Sequence, residues 1–173
     1  PKANPQIIYP AVSSIFNTKI NKDKTAKVLK KYGLSAGYFL SVSTLEPRKN
    51  LAGLIKAYIS TKSKNPLVFV GGRGWKEAEI SKLLEVHKDK LKAIGFVEEE
   101  ELVILYQQAL CLIYPSFYEG FGLPALEAMS VGTPTLLSNS SSLREAGGNA
   151  VLYIDPKNID SIKQLSGDAI LMG

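Results

Sequence analysis

The 173 residues are 45% apolar and 21% charged, the balance of a globular domain large enough for a substantial core. One cysteine, Cys111, and one histidine, His87, exclude an internal disulfide and leave too little material for a cysteine-rich zinc site or a Ser/His/Asp triad. The net charge of +5 permits attraction to anionic substrates or a membrane surface, but no basic run is interleaved with aromatics as nucleic-acid binding would need, and no apolar run is long enough to cross a bilayer.

Residues 1–10 read as an extended linker remnant, with 6–9 as a short strand or linker, and residues 11–173 as one domain. The start at Pro1 is expected of a piece of a longer protein. Residues 12–18 read as irregular. Residues 24–32 read as a helix with Val28, Leu29 and Tyr32 on one face and solvated lysines on the rest, ended by Gly33. The first strand is expected over 38–43. A loop, Thr44-Leu45-Glu46-Pro47-Arg48-Lys49-Asn50, leads into a helix over 51–61 with Asn50 as N-cap. A second strand covers 67–70, and Gly71-Gly72-Arg73-Gly74 turns it into a helix starting near Trp75. His87 follows that helix and reads as solvated. The third strand covers 91–95. The next helix, 98–108, opens with four glutamates that suit its positive end. The fourth strand, 109–114, is an apolar run in which Cys111 packs. A helix over 123–131, a strand over 135–137, a short helix over 141–146, a strand over 151–154 and a last helix from 159 complete the chain. Six alternations with short links predict an α/β fold, a doubly wound parallel sheet of about six strands with helices on both faces. Such sheets bind ligands at the carboxyl ends of their strands, which puts the loops 44–50, 71–75, 96–97 and 116–122 on one rim.

The stretch at 114–129, YPSFYEGFGLPALEAM, carries the most chemistry. Pro115 stops the strand, Glu119-Gly120-Phe121-Gly122 turns, and Pro124 suits the first turn of the helix. The helix start offers unpaired N–H groups and a positive dipole end, a place for an anion. Two acids flank it. Glu119 lies on the approaching loop and Glu127 inside the helix, leaning back toward its start. A diphosphate with hydroxyl-bearing groups at both ends matches this layout. Lys49 and Arg48 supply the cations a diphosphate needs on the same rim.

The run E-G-F-G-L-P-A-L-E-A-M resembles the E-x7-E motif of the retaining GT-B glycosyltransferases of the family-4 group, the glycosyl transferases group 1. T-L-E-P-R-K-N resembles their phosphate loop, Gly71-Gly72-Arg73-Gly74 their second-strand loop, and Gly95-Phe96-Val97 the segment whose backbone lies against the nucleotide base. Ile8-Tyr9-Pro10 resembles the crossing into the C-terminal half. The resemblance therefore implies a Rossmann-like, donor-binding C-terminal half of a GT-B enzyme, without its closing helices and with the acceptor held largely by an N-terminal domain. It implies Lys49 on the donor diphosphate, Val97 beside the base, Phe121, Gly122 and Leu123 at the helix start, Glu127 on the ribose and Glu119 on the donor sugar, with Glu119 and Lys49 as the catalytic residues. Many relatives place an arginine in a G-R pair where this chain has Ser43, which leaves Arg48 as the candidate stand-in. The implied activity is retaining transfer of a sugar from a nucleoside diphosphate to an acceptor hydroxyl in glycan or polysaccharide synthesis, without a metal or cofactor. The T-L-E-P-R-K-N version resembles mannosyl- and rhamnosyltransferases, which makes GDP-mannose the first donor to consider. A cytoplasmic location, peripheral at the inner face of the membrane, is expected, with no nucleic-acid partner. A GT-B-type nucleotide-sugar epimerase and a non-catalytic nucleotide-binding subunit of a two-chain transferase are the alternative readings.

Overall fold

The computed structural model describes residues 9–140 and 142–164. Most of the expected linker at residues 1–10 and the end of the expected last helix fall outside the described residues. The elements alternate as α1 (Lys22–Tyr32), β1 (Tyr38–Val42), α2 (Leu51–Ile59), β2 (Leu67–Val70), α3 (Ala78–Val86), β3 (Leu91–Ala93), α4 (Glu99–Gln108), β4 (Ala109–Tyr114), α5 (Leu123–Ser130), β5 (Thr135–Ser138), α6 (Leu143–Gly147) and β6 (Leu152–Ile154). All six strands pair in parallel, in the order β3-β2-β1-β4-β5-β6. This is the doubly wound sheet the alternation predicts.

The central strands are largely apolar on both faces because both are covered. Tyr38, Leu40, Val42, Leu112 and Tyr114 pack with residues of α1, α4 and α5 on one side. Phe39, Phe69, Cys111, Ile113 and Leu136 pack with α2 and α3 on the other, joined by Ile162 from the helical residues 159–164. Burying a side chain such as Leu40 or Ile113 completely contributes roughly 1.5–3 kcal/mol. Cys111 is fully buried, and burial pushes its thiol up to about 12, so it stays protonated and packs as a small apolar group.

Several boundaries differ from expectation for local reasons. The segment expected to be irregular at 12–18 contains a 3-10 turn, Ser14–Asn17, which buries Phe16 against the Tyr106 ring at 6.0 Å. The helix expected from Trp75 begins at Ala78. Trp75 instead donates its indole N–H to Glu46 at 3.0 Å, and Lys76 takes a left-handed φ of 55°, so no helix runs through it. The short helix expected over 141–146 runs Leu143–Gly147, and Ser141 lies outside the described residues.

The order of the strands matters more than their ends. β1 has β2 on one side and β4 on the other, so the chain leaves β1 and β4 in opposite directions at their carboxyl ends. A crevice opens there. One of its walls depends on Gly71, at φ 136°. A Cβ at this position would lie 2.1 Å from the Ser43 carbonyl oxygen, while the neighbouring Leu45 N–H donates to the Gly72 carbonyl at 3.0 Å. Gly71→Ala must therefore separate the β1 and β2 loops. It is expected to destabilise the fold by ~2 kcal/mol or more, the sum of backbone strain and steric displacement. Thermal melting of the variant against the parent chain measures this.

Candidate functional site

The crevice between β1 and β4 is a cleft of about 460 Å³. That is the size of pocket in which a small molecule is buried. Of the eight residues selected from the sequence, six line it: Lys49, Val97, Glu119, Phe121, Gly122 and Leu123. They come from three separate loops and a helix start, spread over 75 positions (49 to 123) of the chain. Ser43 also lines it, beside Gly71 and Gly72.

Local geometry explains how Lys49 reaches the cleft. Pro47–Lys49 forms a 3-10 turn, and Asn50 then adopts a left-handed φ of 54°. Asn50 stands at the N-cap position of α2, but its side chain makes no capping bond. Its amide instead donates to the Pro115 carbonyl at 3.2 Å and the Pro156 carbonyl at 2.7 Å, which staples three loops together. The Phe117 N–H adds a bond to the Arg48 carbonyl at 3.0 Å. The basic loop and the Glu119 loop are thus one assembly.

Lys49 and Glu119 meet inside it. Lys49 Nζ donates to Glu119 Oε1 at 2.7 Å and Oε2 at 3.0 Å, and to the Tyr114 hydroxyl at 3.2 Å. Burial raises the Glu119 carboxyl, but the Lys49 contact, with Ser116 and Tyr114, outweighs it and holds the group below its ordinary value. The Ser142 hydroxyl fixes the Glu119 carbonyl at 3.0 Å.

Arg48 is placed beside the cleft rather than in its lining. Its Nη1 donates to Glu119 Oε2 at 3.0 Å and the Tyr118 carbonyl at 2.8 Å, and its Nη2 to Glu46 Oε1 at 2.8 Å. A guanidinium so engaged is directed at acids of its own chain, not at the cleft. Glu127 also stands back from the lining. It lies one helical turn after Leu123 on the same face of α5 and accepts a bond from the Tyr106 hydroxyl at 2.9 Å. Tyr106, Tyr114 and Glu46 are contacts that sequence reasoning missed. Each lies on a named element, but nothing in its spacing marks which acid or cation it meets.

The two acids of the motif are shifted in opposite directions. Burial, with a lesser push from Glu99, raises Glu127 despite the Tyr106 bond. A carboxyl raised on folding contributes stability below its unfolded pKa, and that contribution is lost as pH rises through the folded value. Glu127→Gln keeps an acceptor for Tyr106 and removes the charge. The variant is expected to melt a few degrees above the parent at pH 7, with the difference gone near pH 4. Melting curves across that range test this.

The start of α5 completes the site. Gly122, at φ 91°, and Leu123 line the cleft, so the helix presents its positive end to the space beside Lys49. An anion there meets an ammonium and a helix start together, with a carboxylate alongside to accept hydroxyl groups.

Known proteins resemble this chain in sequence and in fold. The family described as glycosyl transferases group 1 matches residues 22–171. O-antigen chain mannosyltransferase B of Escherichia coli is 45% identical over 142 residues, 78% of this chain and 37% of that protein. O-antigen chain mannosyltransferase RfbU of Salmonella typhimurium is 34% identical over 169 residues, 92% of this chain and 46% of that protein. The chain thus spans less than half the length of these two relatives. Among solved structures, the C-terminal domain of a glycosyl transferase group 1 family protein from Francisella tularensis superposes over 94% of this chain and 88% of its own, with a TM-score of 0.72 at 20% identity. Anabaena HepE in complex with UDP-glucose superposes over 92% of this chain and 46% of its own, with a TM-score of 0.79 at 18% identity. Such identities speak for the fold, and the family match speaks for the lineage. The chain belongs to the glycosyl transferases group 1 family and has the Rossmann-like fold of its GT-B members.

Proposed function

We propose that the cleft binds a nucleoside diphosphate sugar and that the chain is the donor-binding part of a retaining hexosyltransferase. The observation that supports this most is the convergence of Lys49, Glu119 and the α5 start on one cleft at the switch point of the sheet. Lys49 and the α5 N-terminus neutralise the diphosphate, and in transfer they stabilise it as it leaves. Glu119 accepts hydroxyl groups of the sugar, the backbone at Val97 borders the base, and Glu127 takes the ribose after giving up its Tyr106 bond. Arg48 acts through Glu119 and not on the phosphates. No metal is assigned to this chemistry, because the protein's own cation and helix dipole supply the positive charge.

The donor we propose is GDP-mannose, on the strength of the two mannosyltransferase relatives and the T-L-E-P-R-K-N loop. The reaction is mannosyl transfer to a hydroxyl of a growing polysaccharide, with the acceptor held by a further domain facing the cleft. Calorimetric titration of the chain with GDP-mannose, UDP-glucose and their parent diphosphates tests this. Saturable binding of GDP-mannose tighter than UDP-glucose is expected. Binding of UDP-glucose alone would overturn the choice of donor, and binding of neither would overturn the donor site.

A further inference from the structure

Resting on the donor-site reading, the arrangement of Lys49, Glu119 and Arg48 carries a second meaning. Lys49 has both of its anionic contacts with Glu119, at 2.7 and 3.0 Å, although it is the cation that a diphosphate needs. The Lys49 and Glu119 side chains are only 10% and 7% exposed, so little hydration replaces a lost partner for either. Arg48 is 41% exposed and shares the same Glu119 oxygen that Lys49 uses at 3.0 Å. Glu119 therefore keeps a cation when Lys49 turns away, and it needs a replacement for Lys49's hydrogen bonds.

We propose that Glu119 is a built-in competitor for Lys49 that makes the cleft discriminate between a sugar nucleotide and the sugar-free nucleoside diphosphate. A sugar nucleotide supplies hydroxyl groups that take over the bonds Glu119 gives up, and Lys49 then turns to the diphosphate. A bare diphosphate supplies no such group. It must pull Lys49 from a buried carboxylate with nothing offered in exchange, and that cost lowers its affinity. After transfer, Glu119 returns to Lys49 and the product leaves. Arg48 is a positioning residue here, because it holds Glu119 while Lys49 is absent.

Titration of the chain and of Glu119→Gln with GDP and GDP-mannose, and in parallel with UDP and UDP-glucose, tests this. Glu119→Gln is expected to bind the bare diphosphate about tenfold more tightly than the parent, and the sugar nucleotide no more tightly, so that the ratio between them collapses. Arg48→Met is expected to weaken the bare diphosphate several-fold in the parent background and to have no effect in Glu119→Gln. A diphosphate affinity that is unchanged or lower in Glu119→Gln overturns the competitor. So does an equal effect of Arg48→Met in both backgrounds, which would mean direct contact with phosphate. If Glu119→Gln does not fold, Arg48→Met alone decides, because a competitor requires it to weaken GDP more than GDP-mannose. Lys49-dependent diphosphate binding that Glu119→Gln leaves unchanged defeats the competitor and spares the donor site. No nucleotide binding by parent or variants defeats both.

Discussion

Transfer by these 173 residues alone is expected to be at least ~10⁵-fold slower than transfer by the same residues joined to an acceptor-binding domain. As proposed, the cleft holds one reactant, the donor. On the proposed reading Lys49, Glu119 and the α5 start all act on the donor, and the aromatic side chains Phe96, Phe117 and Tyr118 are exposed to solvent. Holding two reactants in register can supply ~7–11 kcal/mol of a barrier. Without the acceptor held, that contribution is missing, and water competes for the anomeric carbon. Incubation with GDP-mannose and a mannose-terminated oligosaccharide, followed by product analysis, should show nucleotide binding with transfer near background. Turnover at ~1 s⁻¹ or faster, in the ordinary enzyme range, would mean that the chain holds its own acceptor. The reading of a separate acceptor domain would then be wrong.

The parts of this molecule that were legible in the sequence are those decided by near neighbours. The central strands are mostly apolar because both of their faces are covered, and the edge strands are short apolar-rich segments between turn residues, so all six could be placed. The rim of carboxyl-end loops followed from the alternation, whereas the strand order that makes a switch point between β1 and β4 did not. Lys49, Glu119 and the α5 start were gathered by the rule that ligands bind at the carboxyl ends of strands. What was not legible depends on pairs far apart in the chain. Asn50 looks like an N-cap by position, yet its partners are 65 and 106 residues away, and a left-handed φ turns its amide toward them. Glu119 and Lys49 lie 70 residues apart, and the role proposed for each with a ligand would separate them. Nothing in the sequence says that they satisfy each other when no ligand is bound. The start of α3 moved because Trp75 found Glu46, which is 29 residues earlier. Arg48 stands next to Lys49 on the same rim loop, but its fork closes on Glu46 and Glu119, partners that its position in the sequence does not name.

Lys49→Ala is expected to weaken nucleoside diphosphate binding by about tenfold while leaving the bare nucleoside nearly unaffected. A hydrogen bond to a charged group contributes roughly 1.5–3 kcal/mol. The lower end applies here, since the ammonium must first give up Glu119, and its value to the ligand is net of that exchange. The substitution also has a cost without any ligand. Glu119 is buried and loses its main partner, keeping the Arg48 bond and its lesser neighbours. The group's folded pKa is depressed, so its stabilising contribution is present above the unfolded value and disappears as pH falls through the folded one. Lys49→Ala should therefore melt below the parent at pH 7 and approach it under acid conditions. A loss of ligand binding could then be blamed on the fold. The double variant Lys49→Ala with Glu119→Gln separates the two causes. Removing the stranded charge should restore most of the melting temperature, yet diphosphate binding should stay as weak as in Lys49→Ala, because the cation is still missing. Recovery of binding along with stability would show that Lys49 serves only to neutralise Glu119, and the diphosphate would need another cation.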